Sequence, residues 1–132
     1  MKAFVDSNVV VSSFTSNGLS RKLVDLLVLE HTILLSPQVL EESQRIITTK
    51  FEVSRKDLDD FIDSLMGVAE LIPPPYSDRP FVRDSDDVDI LAAAIKGRAD
   101  VLVTGDKDLL DVPNPPIRIL RPRELYDLLT AE

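Results

Sequence analysis

Short apolar runs alternate with amphipathic helical patterns along the chain, and this alternation limits the folds that it can adopt. Five runs are rich in Val, Ile and Leu, are bounded by turn-forming residues and have the length of β-strands: 3–5, 32–35, 69–72, 101–104 and 117–120. The segments between them space apolar residues at helical intervals, and one opens with Ser36 as N-cap and Pro37 as the first helical residue. Strands that alternate with helices predict an α/β fold with a mainly parallel sheet.

The length and composition suit one domain with its own hydrophobic core. The chain has 132 residues, of which 44% are hydrophobic, and we expect a single domain over residues 1–132. It has no cysteine and one histidine, His31, which excludes thiolate sites and multi-histidine zinc sites within one chain. A bound metal would therefore have oxygen ligands, which favours Mg²⁺ or Mn²⁺.

The net charge of −8 is unlike that of a general nucleic-acid binder, which is normally basic. The negative charge is concentrated, however, since eight acidic and three basic residues lie between Asp84 and Asp111. An acidic pocket of this kind raises the total without describing the remaining surface. No apolar stretch approaches the roughly 20 residues that cross a bilayer, and Asp6 and Asn8 interrupt the N-terminal segment, unlike a signal peptide. We therefore expect a cytoplasmic protein with no membrane partner.

Two carboxylates follow strand-like runs. Asp6 ends the first run, and Asp106 follows the run at 101–104. In a parallel sheet the carboxyl ends of the strands meet at one edge, where ligands bind in α/β folds. We therefore expect Asp6 and Asp106 to share that edge. Taken alone, the segment at 104–110 is more typical of a solvated turn, since Gly and Asp are common turn residues.

Helical spacing predicts that one glutamate faces the interior. Glu42 lies three residues after Val39 and four before Ile46, so it shares their apolar face. The neighbouring Glu41 lies on another face and has Arg45 four residues later, which predicts a surface ion pair. Glu42 is therefore the better candidate for chemistry.

The segment at 83–94 offers several acids, and their positions on a helix distinguish them. Asp87 precedes apolar residues at i+3, i+4 and i+7, which places it on the apolar face at the helix N-terminus. Asp89 shares a face with small residues and Lys96, which indicates greater exposure. Asp84 and Asp86 precede the helix and are typical of capping and dipole-stabilising carboxylates.

Four carboxylates at one edge would need a cation. Asp6, Glu42, Asp87 and Asp106 cannot all stay ionised side by side, because like charges raise each other's pKa. Mg²⁺ held by a few carboxylates and waters can activate water and clamp a phosphodiester. The ion would also supply the positive charge that an anionic substrate needs in an acidic pocket.

Four sequence blocks resemble the successive motifs of the PIN-domain nucleases: FVDSNVVVSSF, SPQVLEESQRII, RDSDDVDILAAA and ADVLVTGDKDLL. The similarity extends from about residue 3 to residue 122 and is greatest to the bacterial and archaeal branch of VapC-like toxins of toxin–antitoxin systems. The resemblance implies a PIN-like, three-layer α/β/α sandwich around a five-stranded, mainly parallel sheet. It also implies an Mg²⁺- or Mn²⁺-dependent ribonuclease activity.

The resemblance assigns the acids one at a time. It implies Asp6 and Asp106 as the principal metal-holding catalytic residues, joined by Glu42 and Asp87. Asp89 is an alternative to Asp87, because its surroundings also resemble a D-x-x-A-A form of the family. Supporting roles are implied for Asn8, Asp84, Thr104 and Asp108.

The resemblance also implies partners: an RNA substrate, a protein antitoxin over the acidic cleft and a second copy of the chain. Apolar residues on two helices favour a homodimer as well, because they exceed what one core face needs: Leu26, Leu27, Leu29, Phe61 and Leu65. Two other interpretations fit the residues. One is an RNA-processing nuclease that has no antitoxin, and the other is a catalytically silent binding module.

Overall fold

The sheet carries five parallel strands. The computed structural model describes residues 1–77 and 85–132. The strands are β1 Lys2–Val5, β2 Thr32–Leu35, β3 Glu70–Leu71, β4 Val101–Val103 and β5 Arg118–Leu120. They lie in the order β3-β2-β1-β4-β5, and every pairing is parallel. Each run predicted as a strand forms one, with its ends shifted by no more than one residue, so the predicted α/β fold is confirmed.

Two groups of helices flank the sheet. The helices are α1 Ser7–Thr15, α2 Leu19–Glu30, α3 Pro37–Lys50, α4 Arg55–Val68, α5 Ser85–Lys96, α6 Lys107–Leu110 and α7 Pro122–Thr130. α1 packs against α2 and α3, and α2 packs against α7, whereas α5 packs against α6, β2 and β4. The architecture is the expected α/β/α sandwich. Along the two described ranges, no helix combines the length and the apolar character that a membrane crossing requires.

Helix α1 was not expected from the sequence pattern. Its residues 9–11 are three consecutive valines, and β-branched residues favour strands over helices. All three valines are buried, and α1 packs against both α2 and α3. Burial in tertiary contacts therefore outweighs the weak intrinsic preference. The helix begins after Asp6, whose carboxylate caps it by accepting a hydrogen bond from the Ser7 N–H.

The apolar residues expected to form a dimer face are mostly part of the core. Leu27 and Leu65 are buried, and Leu26 is partly buried. Phe61 is partly buried against Phe14, with 4.7 Å between the ring centroids. Leu29 is the exception, because 81% of its surface is exposed.

The C-terminal end of α5 approaches the sheet at Gly97. A Cβ atom added to Gly97 would lie 3.0 Å from side-chain carbons of Leu34 and Ile72, which are both buried. The left-handed backbone conformation falls on the next residue, Arg98, at a φ of 56°. Glycine at position 97 therefore serves the close approach of the helix end to the sheet.

Replacing Gly97 by alanine is expected to lower the free energy of unfolding by about 1–3 kcal/mol, because core side chains must move to admit the methyl group. Gly67 in α4 is the matched control, since a Cβ atom there meets no atom within 4 Å. Gly67→Ala should raise stability by about 0.5–1 kcal/mol, because alanine is the better helix former. Urea unfolding of both variants measures the difference. Equal free energies of unfolding for Gly97→Ala and Gly67→Ala would show that the contact of α5 with the sheet relaxes easily.

Candidate active site

The ends of β1 and β4 bring two polar side chains together. Val5 pairs with Val103 in parallel register, so the residues that follow them lie level at the carboxyl edge of the sheet. The Asp6 N–H donates to the Val103 carbonyl at 3.1 Å. The fully buried Thr104 donates its hydroxyl to Asp6 Oδ2 at 2.7 Å. Asp6 therefore lies at the edge of the sheet where it was predicted.

Asp6 is a buried carboxylate that accepts several hydrogen bonds. It is 4% exposed, and it accepts from the Ser7 N–H at 2.7 Å and from Asn8 Nδ2 at 3.0 Å. Burial raises the pKa of this carboxyl group, and the charges of Glu42 and Asp106 raise it further, against the effect of the hydrogen bonds. The folded chain holds this proton more tightly than the unfolded chain. Asp6 therefore costs stability as the pH rises from the ordinary carboxyl range through its raised pKa.

A polar network fixes the loop after β4 against the start of α1. Asn8 Nδ2 lies 3.3 Å from Thr104 Oγ1, and Asn8 Oδ1 accepts from the Gly105 N–H at 2.9 Å. Thr104 Oγ1 also accepts from the Asp106 N–H at 2.9 Å. Asp106 caps α6 by accepting from the Asp108 N–H at 2.9 Å. Asn8 and Thr104 thus position the two loops that carry Asp6 and Asp106.

Glu42 reaches the site from α3. It is partly buried, and its Oε1 accepts a hydrogen bond from the Ser7 hydroxyl at 2.8 Å. Glu41 is exposed and pairs with Arg45 at 3.3 Å, so the predicted contrast between the two glutamates is confirmed. Ser7 was not predicted as a site residue from the sequence. Its position directly after Asp6 was the only indication that the sequence offered.

Three carboxylates from α5 and the start of α6 converge. Asp87, Asp106 and Asp108 each offer an oxygen atom, and these atoms lie within 4.8 Å of one another. Asp87 is 7% exposed, and it is this residue that lies with Asp106, whereas Asp89 lines a separate cavity. Asp108, expected only as a supporting residue, belongs to the group itself. Asp84 lies outside the described residues.

Asp106 is one of these three carboxylates, and it is also close enough to Asp6 to affect its pKa. Its charge acts on Asp6, as does the charge of Glu42. We refer to the five residues together as the acidic cluster: Asp6, Glu42, Asp87, Asp106 and Asp108. Carboxylate oxygens fit a hard cation such as Mg²⁺ or Mn²⁺, and the shared negative charge is the reason a cation would bind here.

Residues 2–108 match the family model of the PIN domain. The chain belongs to the PIN domain family. PIN domains are generally nucleases and use divalent metal ions, and the acidic cluster of this PIN domain fits such an ion. Comparison with curated proteins gives no significant sequence match.

Solved structures of toxin–antitoxin complexes resemble this PIN domain in fold. VapBC2 from Rickettsia felis, bound to a DNA fragment from its promoter, is 19% identical with a TM-score of 0.67, covering 92% of this chain and 98% of that chain. FitAcB from Neisseria gonorrhoeae is 16% identical with a TM-score of 0.59, covering 92% and 98%. FitAB bound to the IR36 DNA fragment is 16% identical with a TM-score of 0.64, covering 91% and 94%. At these identities the likeness is one of fold.

Proposed function

We propose that this PIN domain is an endoribonuclease that hydrolyses RNA phosphodiester bonds with a bound Mg²⁺ or Mn²⁺. The observation that carries the proposal is that carboxylates at the ends of β1 and β4 and on α3, α5 and α6 converge at one edge of the sheet. The proposed catalytic and metal-holding residues are Asp6, Glu42, Asp87 and Asp106. The proposed supporting residues are Asn8, Thr104 and Asp108.

The chain's own residues prepare the acidic cluster for this reaction. A bound Mg²⁺ or Mn²⁺ would neutralise the carboxylates, attract the RNA phosphate and lower the pKa of the attacking water. Thr104 and Asn8 hold the Asp6 carboxylate in one orientation, and the Ser7 hydroxyl orients Glu42. Side chains held in this way need little reorganisation when negative charge develops at the phosphate.

The proposal predicts RNA cleavage that requires a divalent ion. A mixed panel of RNAs, incubated with the purified protein, should be cut at internal positions in Mn²⁺ or Mg²⁺ and should remain intact in EDTA. DNA strands of the same sequences serve as the control for the choice of nucleic acid. If the folded protein cuts no RNA in either metal, the proposed ribonuclease activity is excluded, and if DNA also stays intact the chain is better described as a binding module.

We further propose that the chain is the toxin of a type II toxin–antitoxin pair. The support is its likeness in fold to the VapBC2 and FitAB complexes. A protein antitoxin that covers the acidic cluster would need Arg or Lys there, because a cationic side chain can take over the charge balance of the metal. We also propose a homodimer, for which the exposed Leu29 on α2 is the support in this chain.

A further inference from the structure

The loop that joins α1 to α2 exposes an asparagine that is followed by a glycine. Three exposed residues separate the two helices: Ser16, Asn17 and Gly18. Gly18 has no side chain to shield its backbone nitrogen, and glycine gives the backbone more conformational freedom than other residues. This nitrogen can therefore approach the side chain of the asparagine before it. Such an exposed Asn-Gly pair is prone to lose ammonia from the asparagine, which is one reason why asparagine is thermolabile.

The side chain of Arg21, in the first turn of α2, is fixed beside this asparagine. Its Nε donates to the Ser13 carbonyl at 3.0 Å, and its Nη2 donates to the Phe14 carbonyl at 3.1 Å. The third nitrogen of the guanidinium, Nη1, donates to Asn17 Oδ1. Two backbone carbonyls near the end of α1 therefore orient the guanidinium towards the side-chain carbonyl of Asn17.

We infer that Asn17 deamidates spontaneously and that the Arg21 guanidinium accelerates the reaction. The Gly18 backbone nitrogen loses its proton and attacks Asn17 Cγ, so that an N–Cγ bond forms. The Cγ–Nδ2 bond breaks, and the side-chain amide takes up the proton and leaves as ammonia. Water then opens the resulting succinimide at either carbonyl and gives aspartate or isoaspartate at position 17. The reaction uses only water and involves no residue of the acidic cluster.

The loop combines an available nucleophile with a fixed donor to the oxygen that becomes negative. Negative charge develops on Asn17 Oδ1 as its Cγ is attacked, and a positively charged donor held there in advance stabilises that charge. The Gly18 N–H makes only a long contact with Ser16 Oγ, at 3.4 Å. Little hydrogen bonding is therefore lost when this nitrogen turns towards Cγ.

The chain has two other asparagines, and both are poor sites for the same reaction. Asn8 lies in α1, where the N–H of the following Val9 donates to the Asp6 carbonyl at 3.1 Å. That nitrogen is held in the helix and carries a β-branched residue. Asn114 is followed by Pro115, whose nitrogen has no proton to lose. The two peptides that carry these residues therefore serve as internal controls.

Either product places a new carboxylate beside Arg21 and just before the N-terminus of α2. Both surroundings favour an anion, because the guanidinium is positive and the backbone N–H groups of a helix start are unpaired. The modification also adds one negative charge to a chain whose net charge is −8. Modified molecules should therefore separate from unmodified ones on an anion-exchange column.

Peptide mapping by mass spectrometry tests the site on the full, folded chain. The purified protein is incubated at mildly alkaline pH, which favours loss of the proton from the attacking nitrogen. The peptide that carries Asn17 should gain the mass of water and lose that of ammonia, whereas the peptides that carry Asn8 and Asn114 should stay unchanged. The same chain, unfolded in guanidinium chloride, gives the rate that the sequence alone supports. If the folded chain stays unmodified at Asn17 while the unfolded chain reacts, the site is overturned.

Arg21→Gln tests the role of the guanidinium. The folded variant should deamidate at Asn17 about threefold more slowly than the wild type, which corresponds to the loss of one hydrogen bond. Arg21→Lys is the second variant, because a single ammonium group cannot reach both carbonyls and the Asn17 oxygen, and it should also be slower. Lys22→Gln is the matched control, since it removes the same charge from an exposed neighbour, and it should react at the rate of the wild type.

The unfolded chains of the wild type and of Arg21→Gln should react at one rate, because the contact with Arg21 exists only in the folded chain. Circular dichroism checks that each variant folds before its rate is measured. A folded Arg21→Gln protein that reacts as fast as the wild type, or faster, overturns the role of Arg21. An equal fall in Arg21→Gln and Lys22→Gln overturns the hydrogen bond as the cause and points to the positive charge of the loop.

Discussion

Asp6→Asn is expected to lower the rate of RNA cleavage by about a hundredfold or more, because a missing metal ligand removes several kcal/mol of charge stabilisation. Asn has the same shape and can still accept the Ser7 N–H hydrogen bond at one side-chain position, so the fold should persist. The variant lacks the negative charge at position 6, which in the wild type lies near the charges of Glu42 and Asp106. Cleavage of the same RNA panel in Mn²⁺ measures the effect, and circular dichroism checks the fold.

Glu41→Gln is the matched control for Asp6→Asn. It removes one carboxylate from the chain, as Asp6→Asn does, but its side chain is exposed and pairs with Arg45 outside the acidic cluster. It should cleave RNA at the rate of the wild type. Retained activity in well-folded Asp6→Asn would remove Asp6 from the mechanism, and a parallel loss in Glu41→Gln would point to net charge instead.

Mn²⁺ is expected to raise the melting temperature of the wild-type protein by roughly 10 °C at a hundredfold excess over its dissociation constant. The reason is that the folded chain holds several carboxylates together, while the unfolded chain does not. At a pH above the raised pKa of Asp6, its ionised carboxylate destabilises the folded chain when no cation is bound. A bound Mn²⁺ removes this destabilisation, which increases the rise in melting temperature. Thermal unfolding with Mn²⁺ and with EDTA measures the shift.

Asp106→Asn should lose most of this metal-dependent shift, because Asp106 belongs to the three converging carboxylates and also acts on Asp6. Glu41→Gln should keep it. This readout does not involve RNA, so it separates metal binding from catalysis. An equal shift in the wild type and in Asp106→Asn would place the ion elsewhere on the chain.

Local spacing was enough to predict the sheet and most of the acidic cluster. Strand ends in a parallel sheet share one edge, so Asp6 and Asp106 could be placed without any long-range information. The choice between Glu41 and Glu42 depended only on which face of one helix each residue occupies. The inward face of Asp87 followed from the same reasoning, and the structure places it, rather than Asp89, beside Asp106.

Other features depend on contacts between distant segments, and the sequence pattern did not reveal them. Helix α1 forms because its valines are buried against α2 and α3, which outweighs their preference for strands. Asp108 joins the cluster because Asp106 caps a helix of four residues, a turn geometry that spacing alone did not indicate. The cavity that Asp89 lines is formed by residues 37–38, 74–76 and 86–89, which meet only in the folded chain.

The hydrogen bond between Thr104 and Asp6 joins residues 98 positions apart, across the pairing of β1 and β4. A nascent chain released from the ribosome exit only as far as β3 would contain Asp6 and Glu42 but neither Thr104 nor Asp106. The acidic cluster is thus completed only after residues 104–108 have left the ribosome. If the chain is the nuclease proposed above, a truncated product that ends before residue 104 lacks Asp106 and Asp108 and should be inactive.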